Sequence, residues 1–279
     1  MKLDTLPFPF ILLTPCFSGT AEGKTAQSAA MRVPPIRGHI RFWHRVLFGA
    51  ESANRVWGST AGEHGHASRV ALRFCGNVEA RQANPRPDIL PHKPPGQRGP
   101  RVALGMGNEY SVTLQRLVGC SPGDWENAEC AVKVWLILGS VGLRSNRAAG
   151  SVWPLADWVP TTHSALAALL GQFKCPWEVR LAGPALGDNA NSLREAASNT
   201  VSDARYFGDI ADKRRPGSRR HPSEIKFKVI RLDKKLRLLL TAPPSYPWEE
   251  ARQVLRAKPL ASVAWEGVFV PPPATVLPR

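Results

Sequence analysis

Strand, helix, strand, strand, helix, strand is the order that local patterning gives over residues 6–153, and this split β-α-β sequence predicts an α+β chain with a ferredoxin-like first half. Two further observations agree. The first helix carries one apolar stripe of the width that packs on a sheet, and 279 residues with 43% apolar composition suit two small cored domains. The 37 lysines and arginines against 22 acidic residues leave a net charge of +15 and a pI near 10.2, an excess that attracts polyanions and says nothing about fold.

Residues 6–13 are apolar but hold two prolines, are too short to span a bilayer and lack a small-residue cleavage pattern, so they read as a strand. A Ser18-Gly19 turn leads to GTAEGKT at 19–25, a near miss to a P-loop. Ser18 stands where the Walker spacing needs glycine, and a polar linker with two prolines, not a helix, follows Lys24-Thr25. A basic turn is the better reading.

The next helix is predicted over residues 35–48, with Pro34 and Pro35 at its entrance and Gly49 after it. Ile36, Ile40, Trp43 and Leu47 form its apolar stripe, while Arg37, Arg41 and Arg45 fall on another face. Neighbouring arginines four apart repel by about 0.2–0.5 kcal/mol per pair. No acidic residue occurs between Glu22 and Glu51 to offset this, which favours phosphate binding over a merely solvated face.

A glycine-rich stretch at 58–65 precedes a strand at 69–74. His64 and His66 have no third metal ligand at a recognisable spacing and read as loop histidines. Residues 79–108 hold six prolines with Arg81, Arg86, Lys93, Arg98 and Arg101. They read as an insertion loop, mobile unless a polyanion or partner orders it. A strand at 109–118 and a Ser121-Pro122-Gly123-Asp124 turn lead into a helix over 125–139 carrying Ala128, Val132, Trp135 and Leu136 at helical spacing. The stretch GSVGLRSNRAAGSVW at 139–153 then sets Arg144 and Arg147 among Gly139, Gly142 and Gly150. Glycines let backbone approach a ligand closely, and arginines three apart can grip successive phosphates or stack on a base.

The second half is patterned less clearly. Residues 158–173 contain a helical run, THSALAALLGQF at 162–173, and 182–199 are a small-residue and Asn-rich connector. Residues 213–237 carry eleven Lys or Arg against Glu224 and Asp233, as a solvated basic loop or an RNA contact. A strand at 236–240, a helix at 248–257, a strand near 261–265 and a proline-rich tail follow. Five cysteines without a CxxC pair argue against a zinc ribbon and against a secreted disulfide framework, so a reduced, cytoplasmic chain is expected.

Several of these stretches together resemble the RAMP superfamily of CRISPR effector proteins, and within it the family of the first-numbered subunit of the Cmr (type III-B) complex. The resemblance rests on four motifs across about residues 11–153. The turn Thr14-Pro15-Cys16-Phe17-Ser18-Gly19 is similar to T-P-x-F-x-G, and Arg32 through Arg45 to the helix motif R-x-P-x-I-R-G-x-L-R-F-W-W-R. Trp57-Gly58-Ser59-Thr60 with Ser68-Arg69-Val70 is similar to F-G-S-T and S-x-V, and residues 139–151 to the loop G-G-I-G-x-R-S-x-R-G-x-G-S. His44 replaces a tryptophan of the helix motif, and Ser140 and Ala148 replace glycines of the loop. Arg220, Pro222 and Ser223 match an R-x-P-S turn of the family's second domain.

The resemblance implies two ferredoxin-like (RRM-like) domains, residues 1–155 with a Pro-rich insertion at 76–108 and a divergent domain at 156–279. It also implies a non-catalytic subunit of a crRNA-guided antiviral ribonucleoprotein, with other Cmr-type effector subunits as partners. Single-stranded RNA, guide or target, is then expected at Arg32, Arg37, Arg41, Trp43, His44, Arg45, Gly142, Arg144, Arg147, Gly150, Ser151 and Arg220. Trp43 could stack on a base, although its place on the apolar stripe favours core packing. No cofactor, metal or membrane is expected. The alternative is a guide-processing endoribonuclease using His39 or His44 as a base, for which no second acid/base partner is visible.

Overall fold

The computed structural model describes residues 4–18, 28–60, 65–76, 80–202, 204–208, 223–255 and 258–272. Arg220, the turn at 19–25, His64 and the end of the proline-rich tail lie outside them.

Strand β1 (Thr5–Leu12) alternates so that Phe8, Phe10 and Leu12 point inward, which fixes its register because a one-residue slip would expose all three. Helix α1 (Val33–Trp57) follows, then β2 (Val70–Gly76), β3 (Glu109–Arg116), α2 (Pro122–Leu138) and the three-residue β4 (Val152–Pro154). They assemble an antiparallel sheet in the order β2-β3-β1-β4, the order the split β-α-β reading demands. The α1 stripe closes over this sheet, with Ile36, Ile40 and Trp43 at most 1% exposed, and Phe10 meets Trp135 of α2 edge to face at 5.6 Å. Ser121 caps α2 by accepting the Asp124 N–H at 3.1 Å.

Helix α1 is longer than predicted. Gly49 leaves helical geometry (φ 84°, ψ 170°) and breaks it, but the chain then winds into a second helical arm that reaches Trp57. Arg55 of that arm grips Asp124 at 3.0 Å. Burial alone would raise the Asp124 carboxyl, and hydrogen bonds from Arg55 and Ser121 outweigh it and hold the pKa below its ordinary value.

After α3 (His163–Gln172) the second half repeats the topology. Strand β5 (Glu178–Ala182), α4 (Ala190–Ser198), the single turn α5 (Ala204–Phe207), β6 (Lys226–Leu232), β7 (Lys235–Ala242), α6 (Trp248–Gln253) and β8 (Trp265–Phe269) form a sheet in the order β6-β7-β5-β8. This is the same strand order, so the fold is α+β with two ferredoxin-like sheets among the described residues. Three expectations need correcting. Strand β5 has no sequence prediction: Glu178, Val179, Arg180 and Leu181 alternate, but five residues are too short a run to stand apart from a loop. The connector at 182–199 contains α4, capped by Asn189 accepting the Asn191 and Ser192 N–H groups. The strand near 261–265 lies later, since Pro259–Ser262 is a 3-10 turn.

The insertion is tied down by its own chain. Cys16 and Gln82 both bridge to Leu104, Asn108 holds the Arg81 and Gly105 carbonyls, and Ala83 and Ile89 pack against Phe17 and Ala103. It also reaches the second domain, where Arg194 donates to the Asp88 carbonyl (2.6 Å) and His92 pairs with Ser198 (2.7 Å). No described helix is long and apolar enough to cross a membrane.

Candidate nucleic-acid interface

The glycine loop is the joint between the two sheets. Gly142 (φ 88°) and Gly150 (φ 61°) take left-handed geometry, and a Cβ on Gly150 would lie 1.9 Å from the Val141 carbonyl, so glycine is required there. Thr14 donates to the Ala148 carbonyl at 2.7 Å and accepts the Ser151 N–H at 2.9 Å. From the other side β6 pairs with the loop, Ala148 N–H to Phe227 carbonyl at 3.1 Å and Val229 N–H to Ser151 Oγ at 3.0 Å. Beneath this seam Lys228, 1% exposed, donates to the Leu136 carbonyl in the last turn of α2 at 2.5 Å. Burial drives its ammonium pKa well below the ordinary value.

These contacts divide the residues expected to meet RNA into two sets. Gly150, Ser151, Arg147, Trp43 and His44 are enclosed and hold the protein together. Arg147 is 6% exposed: its fork donates to the Asn146 carbonyl and the Ser223 hydroxyl, both at 3.1 Å, and to the Phe207 carbonyl, and it lies 5.5 Å from the centre of the Phe227 ring. Burial, then the charge of Arg144, lowers its pKa to about 10. Trp43 meets Phe42 and Trp177 edge to face. His44 accepts the Trp57 indole N–H on Nδ1 at 3.0 Å, which puts its proton on Nε2, where it faces Ser52 Oγ at 3.0 Å. Burial keeps it neutral, with its pKa lowered to about 4.

The second set stays at the surface. Arg32 and Arg45 are exposed, and Arg37, Arg41, Gly142 and Arg144 are half-buried. The α1 stripe finds acceptors without an outside anion. Arg37 donates to the Trp57 carbonyl, at the negative end of the folded-back arm, and Arg41 to Asn54 Oδ1 at 2.6 Å. The missing carboxylates are thus replaced in part by backbone and amide oxygens, which a linear reading of charges does not foresee.

Helix α1 and the loop do approach one another, but through a different face of α1 from the arginine stripe. Residues 38 and 42 lie about 100° around the helix from residues 37 and 41 respectively, and residue 39 about 160° from both. With Gly139, Ser140, Asn146 and Lys226 they line a cleft of ≈ 380 Å³. Lys226 reaches in from β6, donates to Asn146 Oδ1 at 3.0 Å and sits 4.5 Å from the centre of the Phe42 ring. Burial, then the Arg147 charge, lowers the Lys226 pKa to about 8. Burial, then Lys226, lowers that of His39 to about 4. Ser140 Oγ is buried and has no hydrogen-bond partner among the described residues. The cleft therefore offers an aromatic ring, a cation and a neutral imidazole, and among the described residues no carboxylate lines it. Among the described residues no cluster of three His, Cys, Asp or Glu could hold a metal. Phe42, Asn146 and Lys226 were not singled out from sequence. The K-F-K-V alternation at 226–229 is the only hint, since it gives two lysines one sheet face.

No protein-family model matches the chain, and no curated protein matches it in sequence. Solved structures match it along most of its length. The crystal structure of Cmr1 from Pyrococcus furiosus (apo form) aligns over 86% of this chain and 87% of its own, with 19% identity and a TM-score of 0.57. A chain in the cryo-EM structure of the type III-B Cmr-beta bound to cognate target RNA aligns over 87% and 94%, with 10% identity and a TM-score of 0.51. A chain of that assembly with AMPPnP, in the presence of ssDNA, aligns over 91% and 98%, with 11% identity and a TM-score of 0.53. The protein shares its two-sheet fold with these Cmr-type chains.

Proposed function

We propose that the chain, divided at residues 155 and 156 into two ferredoxin-like domains, is a non-catalytic RNA-binding subunit of a type III-B CRISPR effector complex. Guide pairing supplies the sequence specificity there, and this protein supplies grip on single-stranded RNA and a surface for other Cmr-type subunits. The observation that carries the reading is the cleft between α1 and the glycine loop, where Phe42 and Lys226 present a stacking face beside a cation. Arg144 extends from the same loop as a phosphate ligand, Arg32, Arg37, Arg41 and Arg45 continue the basic surface on the adjoining face of α1, and Trp43, His44, Arg147, Gly150 and Ser151 hold the surrounding structure from within. The fold shared with chains of complexes bound to cognate target RNA supports this assignment.

A ribonuclease reading draws on His39, a neutral imidazole beside Lys226 in the same cleft. A base with a pKa of about 4 is poorly matched to proton abstraction near neutrality, which favours binding over cleavage. One titration tests both readings. Single-stranded RNA affinity, followed by fluorescence anisotropy, should weaken as pH rises through about 8, where the free Lys226 loses its charge. In Lys226→Arg this dependence should flatten, and labelled RNA should stay intact throughout. Affinity indifferent to pH, with unchanged binding in Lys226→Met, would remove the cleft from the interface. Cutting abolished by His39→Ala would establish the nuclease.

A further inference from the structure

A second polar cleft, of ≈ 540 Å³, lies on the other side of Pro15 from the glycine-loop joint, between the insertion and α4. Four arginines line it, Arg81, Arg86, Arg98 and Arg194, against the carboxylates of Asp88 and Glu195. Arg98 pairs with Asp88 at 3.7 Å and also donates to the Lys93 carbonyl at 2.8 Å, which leaves Asp88 engaged. Arg81 and Arg86 are exposed, and neither side chain has a hydrogen bond or ion pair among the described residues. Arg194 is the unusual member. It is 4% exposed, anchored by one bond to the Asp88 carbonyl and by the Phe17 ring 5.7 Å away, and its Nε is buried with no partner.

A buried guanidinium N–H without an acceptor is costly, and such groups in native proteins ordinarily find a partner. Two unpaired arginines at the rim and one half-paired arginine in the wall converge on a space of ligand size. Planar forks favour phosphate oxygens. Asn84 and Asn191 add amide edges of the kind that read a nucleobase, and the Met106 side chain, 48% exposed, adds an apolar surface. We propose that this cleft binds one nucleotide unit, with its phosphate held by Arg81, Arg86 and Arg194 and its base against the insertion. Because the insertion is tied to α4 through Arg194, occupancy would also brace the two domains against each other. The inference stands on these residues alone and does not rest on RNA binding at the α1 cleft.

The test is calorimetric titration of the full chain with AMP, adenosine and a short oligoadenylate, for wild type and the double variant R81A/R86A. Both rim arginines are exposed and unpaired, so the variant should keep the wild-type melting temperature. AMP should bind wild type at least tenfold more tightly than adenosine, and the double variant should lose at least tenfold in AMP affinity. Oligoadenylate binding beyond that of AMP would identify an RNA nucleotide as the source, and equal binding a free nucleotide. Absence of AMP binding, equal affinity for adenosine, or binding unaltered in R81A/R86A would overturn the proposal.

Discussion

Replacing Arg147 distinguishes a structural joint from a phosphate ligand. The guanidinium makes three hydrogen bonds to uncharged acceptors and packs on Phe227, and among the described residues no carboxylate pairs with it. Each charge-assisted bond contributes about 1.5–3 kcal/mol. Against that stands the desolvation of an unpaired cation, which costs on the order of several kcal/mol. Arg147→Ala loses the bonds and the ring contact, strands the Phe207 carbonyl and leaves a void, for a net loss of roughly 3 kcal/mol. Arg147→Met keeps the packing and relieves the buried charge, so its loss should be about half as large. At ~2–4 °C per kcal/mol for domains of this size, the melting temperature should fall by about 10 °C for alanine and clearly less for methionine. Thermal unfolding by circular dichroism reads both. Arg147→Met should bind RNA within about twofold of wild type at 20 °C. An alanine variant that melts like wild type but no longer binds RNA would refute the argument and return Arg147 to the RNA surface.

Two further outcomes follow from the same contacts. His44 has a folded pKa of about 4 against 6.5 unfolded, so its contribution is complete above pH 6.5 and is lost as pH falls towards 4, when the unfolded chain takes up the proton first. At about 1.4 kcal/mol per pH unit this amounts to ~3 kcal/mol. His39 and His92, also lowered to about 4, share the acid limb, so His44→Gln should reduce the slope of stability between pH 6.5 and 4 without abolishing it, and an unchanged slope would contradict the buried neutral tautomer. Gly150→Ala should prevent stable folding because its Cβ meets the Val141 carbonyl, whereas Gly38→Ala, with open space around it in α1, should raise stability by about 1 kcal/mol. Urea unfolding of the two variants checks the contrast.

The first sheet was legible because its strands alternate and its helices carry clean stripes. Even β4, three residues long, follows from the Gly139–Gly150 loop that must return the chain to β1. The glycine loop was recognisable as special, but its role was not. Whether Arg147 points outward depends on β6, 80 residues later, laying its backbone along the loop, and no local pattern encodes that pairing. The Arg37 and Arg41 acceptors escaped notice for a related reason. Gly49 reads as a helix end, yet it is a hinge that returns Asn54 and Trp57 to the arginines. In the second half β5 alternates over only five residues, and α4 is nine residues long with Ala190, Ala196 and Ala197 on its buried side, so both are too short to stand out from the loops around them. Lys228 is read as solvated charge in any linear count although it is wholly buried.

The central claim is that RNA lies across the cleft between α1 and the glycine loop. Photo-crosslinking of 4-thiouridine-substituted single-stranded RNA to the full chain, with adduct sites mapped by mass spectrometry, tests it most directly. Adducts should concentrate on Phe42 and Lys226, with flanking signal near Arg41 and Arg144, and Lys226→Met should diminish them. Adducts confined to the outer faces of the second sheet, with none on α1 or residues 139–151, would contradict the account.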